Sequence, residues 1–150
     1  KAIIKGNIIE GVVVQDLKQI RDERGSVMHM LRADSPLFEQ FGEVYFSSVK
    51  NNVVKALKRH KLMIQHFAVP VGLIKLVIFD DRKESKTKNE LMEIIVGENN
   101  YALIRIPPMV WYGFKGEAND FSLIANCTSM TFNENEVERR NEINDSFTWL

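Results

Sequence analysis

Leu73-Ile74-Lys75-Leu76-Val77-Ile78-Phe79 is apolar on both faces except at Lys75. A strand with one wet face alternates polar and apolar residues, whereas a strand with apolar side chains in both directions lies inside a layered sandwich. Gly72, just before it, permits a tight turn from a preceding strand, and Asp80-Asp81-Arg82, just after it, reads as a polar turn. The reading extends outward from there. Runs at 8–14, 27–31, 43–49, 53–57, 64–69, 91–96, 102–106 and 121–126 are short, rich in Val, Ile and Phe, and separated by Gly, Pro, Asn and Asp. Residues 37–41 and the charged stretch 133–140 read as helix, the second as a solvated helical face. Many short strands with little helix between them predict an all-β sandwich or barrel in one domain.

A chain of 150 residues, 45% of them hydrophobic, is long enough to bury a substantial core. Twenty Lys and Arg balance twenty Asp and Glu. This balance argues against disorder and against long-range attraction to nucleic acid or an anionic membrane, while leaving room for a local basic pocket. The single cysteine, Cys127, cannot form an internal disulfide, and no Cys/His spacing matches a zinc site. No apolar run approaches the ~20 residues of a membrane helix. The opening Lys-Ala-Ile-Ile-Lys-Gly lacks signal-peptide organisation, and a first residue other than Met suggests a trimmed start. The expectation is a soluble, cytoplasmic protein with no nucleic-acid or membrane partner.

Upstream of Gly72, Lys58-x-His60, four residues, Gln65 and then six residues reproduce the spacing of the first cupin motif. Downstream, Pro107-Pro108-Met109-Val110-Trp111-Tyr112 fits the second, in which proline, glycine and histidine occupy the first, third and sixth places. Alternate residues of a strand face the same way, so side chains two apart converge in the lumen with one from a facing strand. The positions that carry metal ligands in metallocupins hold Lys58, His60, Gln65 and Tyr112 here. One imidazole beside an ammonium is a poor transition-metal site, so neither a metal nor another cofactor is expected.

Within the cupins, the chain resembles the nucleotide-sugar 3,5-epimerase family from about Val14 to Asp145. The resemblance is carried by Asp22-Glu23-Arg24-Gly25, by Val53-Val54-Lys55-Ala56-Leu57-Lys58, by Gly72 through Asp80-Asp81-Arg82 with Ser85 and Thr87, and by Asn99-Asn100 leading to Ile106-Pro107-Pro108 and Trp111-Tyr112-Gly113-Phe114. It implies a double-stranded β-helix, or jelly roll, with extra N-terminal strands that pair in a homodimer. It also implies a nucleotide-sugar substrate, such as a dTDP-linked 4-keto-6-deoxyhexose, in deoxysugar or surface-polysaccharide synthesis. The family's base aligns with Lys58, its lysine with Gln65, its late histidine with Tyr112, and its acid tyrosine near Ala125 or Asn126. The usual proton-transfer groups are therefore replaced.

Sugar 3,4-ketoisomerases offer a second match, through His60-Lys61-x-x-x-Gln65, and a cupin that binds without catalysis is a third reading. Enolisation needs a base beside the ketone and a donor for the enolate oxygen. Lys58 is the candidate base if desolvation lowers its pKa, or else it holds a phosphate or carboxylate. His60 is a candidate pocket residue or a bonded core histidine. Tyr112 is a candidate acid or sugar donor, or an ordinary half-buried tyrosine. Arg24 and Lys55 match diphosphate-binding positions, with Arg24 reaching into a partner subunit's site. Gln65 and Trp111 complete the candidate binding set, Trp111 either stacking on a base or sugar or filling core. His66 and His29 are not expected to take part.

Overall fold

The computed structural model of the chain describes residues 1–144 and 146–149, so Asp145, the far end of the family resemblance, lies outside the described residues. The strands are β1 Ile3–Lys5, β2 Val13–Asp16, β3 Gln19–Asp22, β4 Gly25–Met28, β5 Glu43–Val49, β6 Val54–His60, β7 Gln65–Val71, β8 Leu73–Phe79, β9 Leu91–Gly97, β10 Ala102–Ile106, β11 Trp111–Gly116, β12 Ser122–Thr128 and β13 Val137–Arg139. One sheet has the order β1-β9-β8-β11-β6-β13, the facing sheet β2-β10-β7-β12-β5, and β3 and β4 form a separate hairpin. From β5 to β13 the chain changes sheet at every step except β8 to β9. This alternation makes the expected double-stranded β-helix.

The twofold apolar character of β8 has a specific cause. Ile74, Leu76 and Ile78 enter the main core between the sheets, with Ile94, Ile104 and Ile124. Val77 and Phe79 point the other way, into a second cluster with Leu57, Trp111 and Ile143, covered by Phe147 and Trp149. The C-terminal segment thus covers the outer face of the sheet. Gly72 turns the chain from β7 into β8 with φ +85°, and a Cβ there would sit 2.3 Å from Ser122 Oγ. Both the backbone angle and the close approach require glycine.

The Asp80-to-Thr87 segment closes the fold rather than the site. Asp80 is fully buried and accepts from Arg82 Nε at 2.9 Å, Ser85 Oγ at 2.5 Å and Thr87 Oγ1 at 2.7 Å. Arg82 and Thr87 then hold the backbone of Glu10, at 2.6 Å to its carbonyl and 2.9 Å from its N–H. Burial pushes the Asp80 carboxyl up, but these donors outweigh it and hold the group far below the ordinary carboxylate range.

Several expected elements differ. The run 8–14 is a strand only from Val13, while Ile9 and Val12 bury in the core through a turn. Residues 37–41 form no helix. The stretch 133–140 is not a solvated helix: one 3-10 turn, Glu134–Glu136, capped by the Asn133 side chain, leads into β13 on the edge of β6. An unpaired sheet edge offers a hydrogen bond at each alternate residue, which a short isolated helix cannot match. β11, missed in the sequence because Gly113 and Gly116 interrupt it, lies in the middle of its sheet.

Candidate active site

A cavity of about 410 Å³ opens between the sheets. One wall carries Lys55, Lys58, Tyr112, Phe114 and Arg139, the other Tyr45, Ser47, Phe67, Ile124 and Asn126. Lys55 and Lys58 are three apart, so on a regular strand they would face opposite ways. The pairing of β6 with β11 shifts register, with Tyr112 opposite Lys58 but Phe114 opposite Lys55. The extra residue is a bulge that turns both lysines toward the same cavity. Gly113 lies opposite it, where a Cβ would approach Ala56 Cβ to 2.5 Å.

Lys58 has Tyr112 in register on one side and Arg139 on the other. Desolvation lowers the pKa of its ammonium, Arg139 and Lys55 push the same way, and Glu134 opposes them. Arg139 pairs with Glu134 at the rim. Lys55 reaches across to β5, donating to the Ser48 carbonyl at 2.6 Å and lying 3.3 Å from Ser47 Oγ.

Behind the cavity runs a chain of polar groups. Glu136 is buried and accepts from the backbone N–H of Leu62 at 3.0 Å and of Met63 at 3.2 Å, while its other oxygen bonds His60 Nδ1. His60 Nε2 lies 3.5 Å from the Tyr112 hydroxyl, which donates to Gln65 Oε1 at 3.1 Å. Asn126 Nδ2 donates to the same Gln65 oxygen and to the Tyr45 hydroxyl, both at 3.0 Å. Burial pushes the Tyr112 phenol well above its usual value, so it is protonated at neutral pH.

Of the residues singled out in the sequence, Lys55, Lys58 and Tyr112 meet at the cavity. His60 and Gln65 lie behind it, bonded to Tyr112. Trp111 points to the outer cluster, its indole N–H donating to Asp81 at 3.1 Å and its ring beneath Arg59 at 4.4 Å. Arg24 lies at the tip of the β3–β4 hairpin, exposed and paired with Asp22. His66 bonds the carbonyls of Cys127 and Leu37, outside the cavity lining. The sequence reading missed Tyr45, Ser47 and Arg139 as site residues. The signal for the first two was present: Glu43, Tyr45, Ser47 and Val49 alternate on a correctly located strand, and this is its inward face.

The lining carries cations and phenols and no His, Cys, Asp or Glu, and among the described residues no three such side chains gather. It therefore suits an anionic, partly apolar ligand better than a metal ion. Among the described residues no helix is long and apolar enough to cross a membrane.

Comparison with known proteins agrees with this architecture. The "Probable low-salt glycan biosynthesis epimerase Agl13" of Haloferax volcanii is 39% identical over 120 residues, covering 79% of this chain and 77% of that protein. The spore coat polysaccharide biosynthesis protein SpsL of Bacillus subtilis is 31% identical over 133 residues, covering 89% and 88%. The crystal structure of a dTDP sugar isomerase from Desulfovibrio desulfuricans G20 superimposes with a TM-score of 0.90 at 48% identity, covering 94% and 92%. The profile of one sequence family matches residues 7–148, nearly the whole chain, and with the jelly roll and its cationic cavity it places this protein in the dTDP-4-dehydrorhamnose 3,5-epimerase family.

Proposed function

We propose that this protein epimerises a dTDP-linked, or similarly linked, 4-keto-6-deoxyhexose by cofactor-free enolisation, in deoxysugar or surface-polysaccharide synthesis. The observation that carries the reading is the placing of Lys58, exposed to the cavity, in register with the Tyr112 phenol on the same wall, with its ammonium pKa pushed down by partial desolvation and by Arg139. A neutral amine removes the proton alpha to the C4 ketone. The Tyr112 hydroxyl swings from Gln65 to the developing enolate oxygen. Lys55 and Arg139 at the rim supply charge for the diphosphate.

The proposal includes a cytoplasmic homodimer formed through the N-terminal strands, in which Arg24 completes a neighbouring site. Ile20 (47% exposed) and Val27 (58% exposed) on the β3–β4 hairpin support this, as apolar surface left uncovered in the single chain. The buried free thiol of Cys127 suits a reducing compartment.

The test is NMR of dTDP-4-keto-6-deoxyglucose turned over in deuterated water. Deuterium at C3 or C5, with inversion there and the ketone left at C4, supports the epimerase. Migration of the ketone to C3 would instead make it a 3,4-ketoisomerase, and binding without exchange a non-catalytic binder.

A further inference from the structure

Inversion of a carbon through a flat enolate takes a proton from one face and returns one to the other. Two proton-transfer groups on opposite walls are needed. Lys58 and Tyr112 are neighbours in register on β6 and β11, so they share one wall. The opposite wall consists of Tyr45, Ser47, Phe67, Ile124 and Asn126, and among these Tyr45 alone is of a kind used for general acid catalysis, the Ser47 hydroxyl being a far weaker acid than a phenol. Resting on the epimerase reading above, we infer that Tyr45 is the catalytic acid that protonates the enolate on the face opposite Lys58.

The hydrogen bonds distinguish the two phenols. Asn126 Oδ1 accepts from the backbone N–H of His66 at 3.2 Å, which fixes the orientation of its amide. Its Nδ2 therefore faces Gln65 Oε1 and the Tyr45 hydroxyl, and an amide nitrogen only donates. Tyr45 is the acceptor in that bond, and its own O–H proton has no acceptor among the described residues. Tyr112 differs at rest, because its proton is given to Gln65, and on the reading above that proton turns to the enolate oxygen from Lys58's own wall. Asn126 and Tyr45 are also partners in register on β12 and β5, so the amide holds the phenol from the next strand. Burial raises the Tyr45 pKa, and the hydroxyl remains a proton donor at neutral pH.

The step balances. Lys58 Nζ takes the proton as the C–H bond breaks, and the bonding pair passes into the enolate with its charge on O4. The pair then returns to carbon as Tyr45 Oη delivers its proton to the other face. A phenolate and an ammonium remain, and solvent resets both.

The experiment compares wild type with Tyr45→Phe on dTDP-4-keto-6-deoxyglucose in deuterated water, counting inversion and deuterium incorporation separately. Without Tyr45, Lys58 still removes the proton and returns a deuteron to the same face. The variant is expected to exchange within about threefold of wild type while inversion falls by about 100-fold or more. The ratio of inversion to exchange is counted per working molecule, so partial unfolding of the variant leaves it unmoved. Inversion by the variant within threefold of wild type would overturn the assignment. So would parallel loss of exchange and inversion in a variant that still binds the sugar. A wild type that exchanges and inverts keeps the epimerase reading whatever the variant does, whereas one that binds but never exchanges removes that reading and this inference together.

Discussion

At Asp80, a carboxylate without solvent contact is held by a guanidinium and two hydroxyls. Removing one charge of such a pair leaves the other uncompensated, at a cost of about 3 kcal/mol. Asp80→Asn should lose about that much stability at pH 7 in chemical denaturation. The sign of the pH effect follows from its depressed folded-state pKa. The stabilisation is complete above the unfolded value of about 3.9 and is lost as pH falls toward the folded value. Wild-type Tm should therefore fall more steeply than that of Asp80→Asn as pH drops below about 4. Residues of this kind show how much of the site was legible in the sequence. Lys58 and Tyr112 were singled out by the spacing of the two cupin motifs, and Lys55 by the family resemblance, since three-residue spacing on a regular strand would turn Lys55 and Lys58 apart. Tyr45 was legible as an inward-facing residue of its strand, but not its hydrogen bond to Asn126, 81 residues away, which the neighbouring strand supplies. Trp111 was placed in the binding set on size and chemistry, and the strand's outward direction decides its position instead.

At the scale of elements, the bulge in β6 is what gathers two lysines at one cavity. Gly113 makes room for it, since a Cβ would lie 2.5 Å from Ala56 Cβ and 3.0 Å from Ala56 Cα, and neither neighbour is a flexible tip. Gly113→Ala should cost about 2 kcal/mol of stability. It should also weaken dTDP binding by realigning Lys55 and Lys58, as checked by thermal melting and calorimetric titration. Unchanged Tm and affinity would mean that the bulge does not depend on this glycine. Strands β5, β8 and β10 were legible to the residue because each is rich in apolar and aromatic side chains and bounded by polar or turn-forming residues. β13 was not. Its charged sequence has no apolar alternation, and its conformation is set by the free edge of β6, which is formed elsewhere in the chain.

For the whole molecule, the jelly roll was legible because many short apolar runs leave few ways to bury both faces of β8. The residues that cover the outer face, Ile143, Phe147 and Trp149, carry no comparable pattern. Light scattering after size exclusion should give twice the mass of the 17.3 kDa chain at micromolar concentration, and a stable monomer there would contradict the role given to Arg24. On the proposed reading, Lys58 is a base with a lowered pKa in a cavity for 4-ketosugars. The most direct measurement is the rate of deuterium incorporation into dTDP-4-keto-6-deoxyglucose against pH, for wild type and Lys58→Met. The wild-type rate should rise with pH through a midpoint below the ordinary lysine value of about 10.4, as the amine becomes neutral. Lys58→Met should lose exchange by about 100-fold or more, with nucleotide-sugar affinity kept within about tenfold. Exchange by Lys58→Met at the wild-type rate would contradict the assignment of Lys58 as the base.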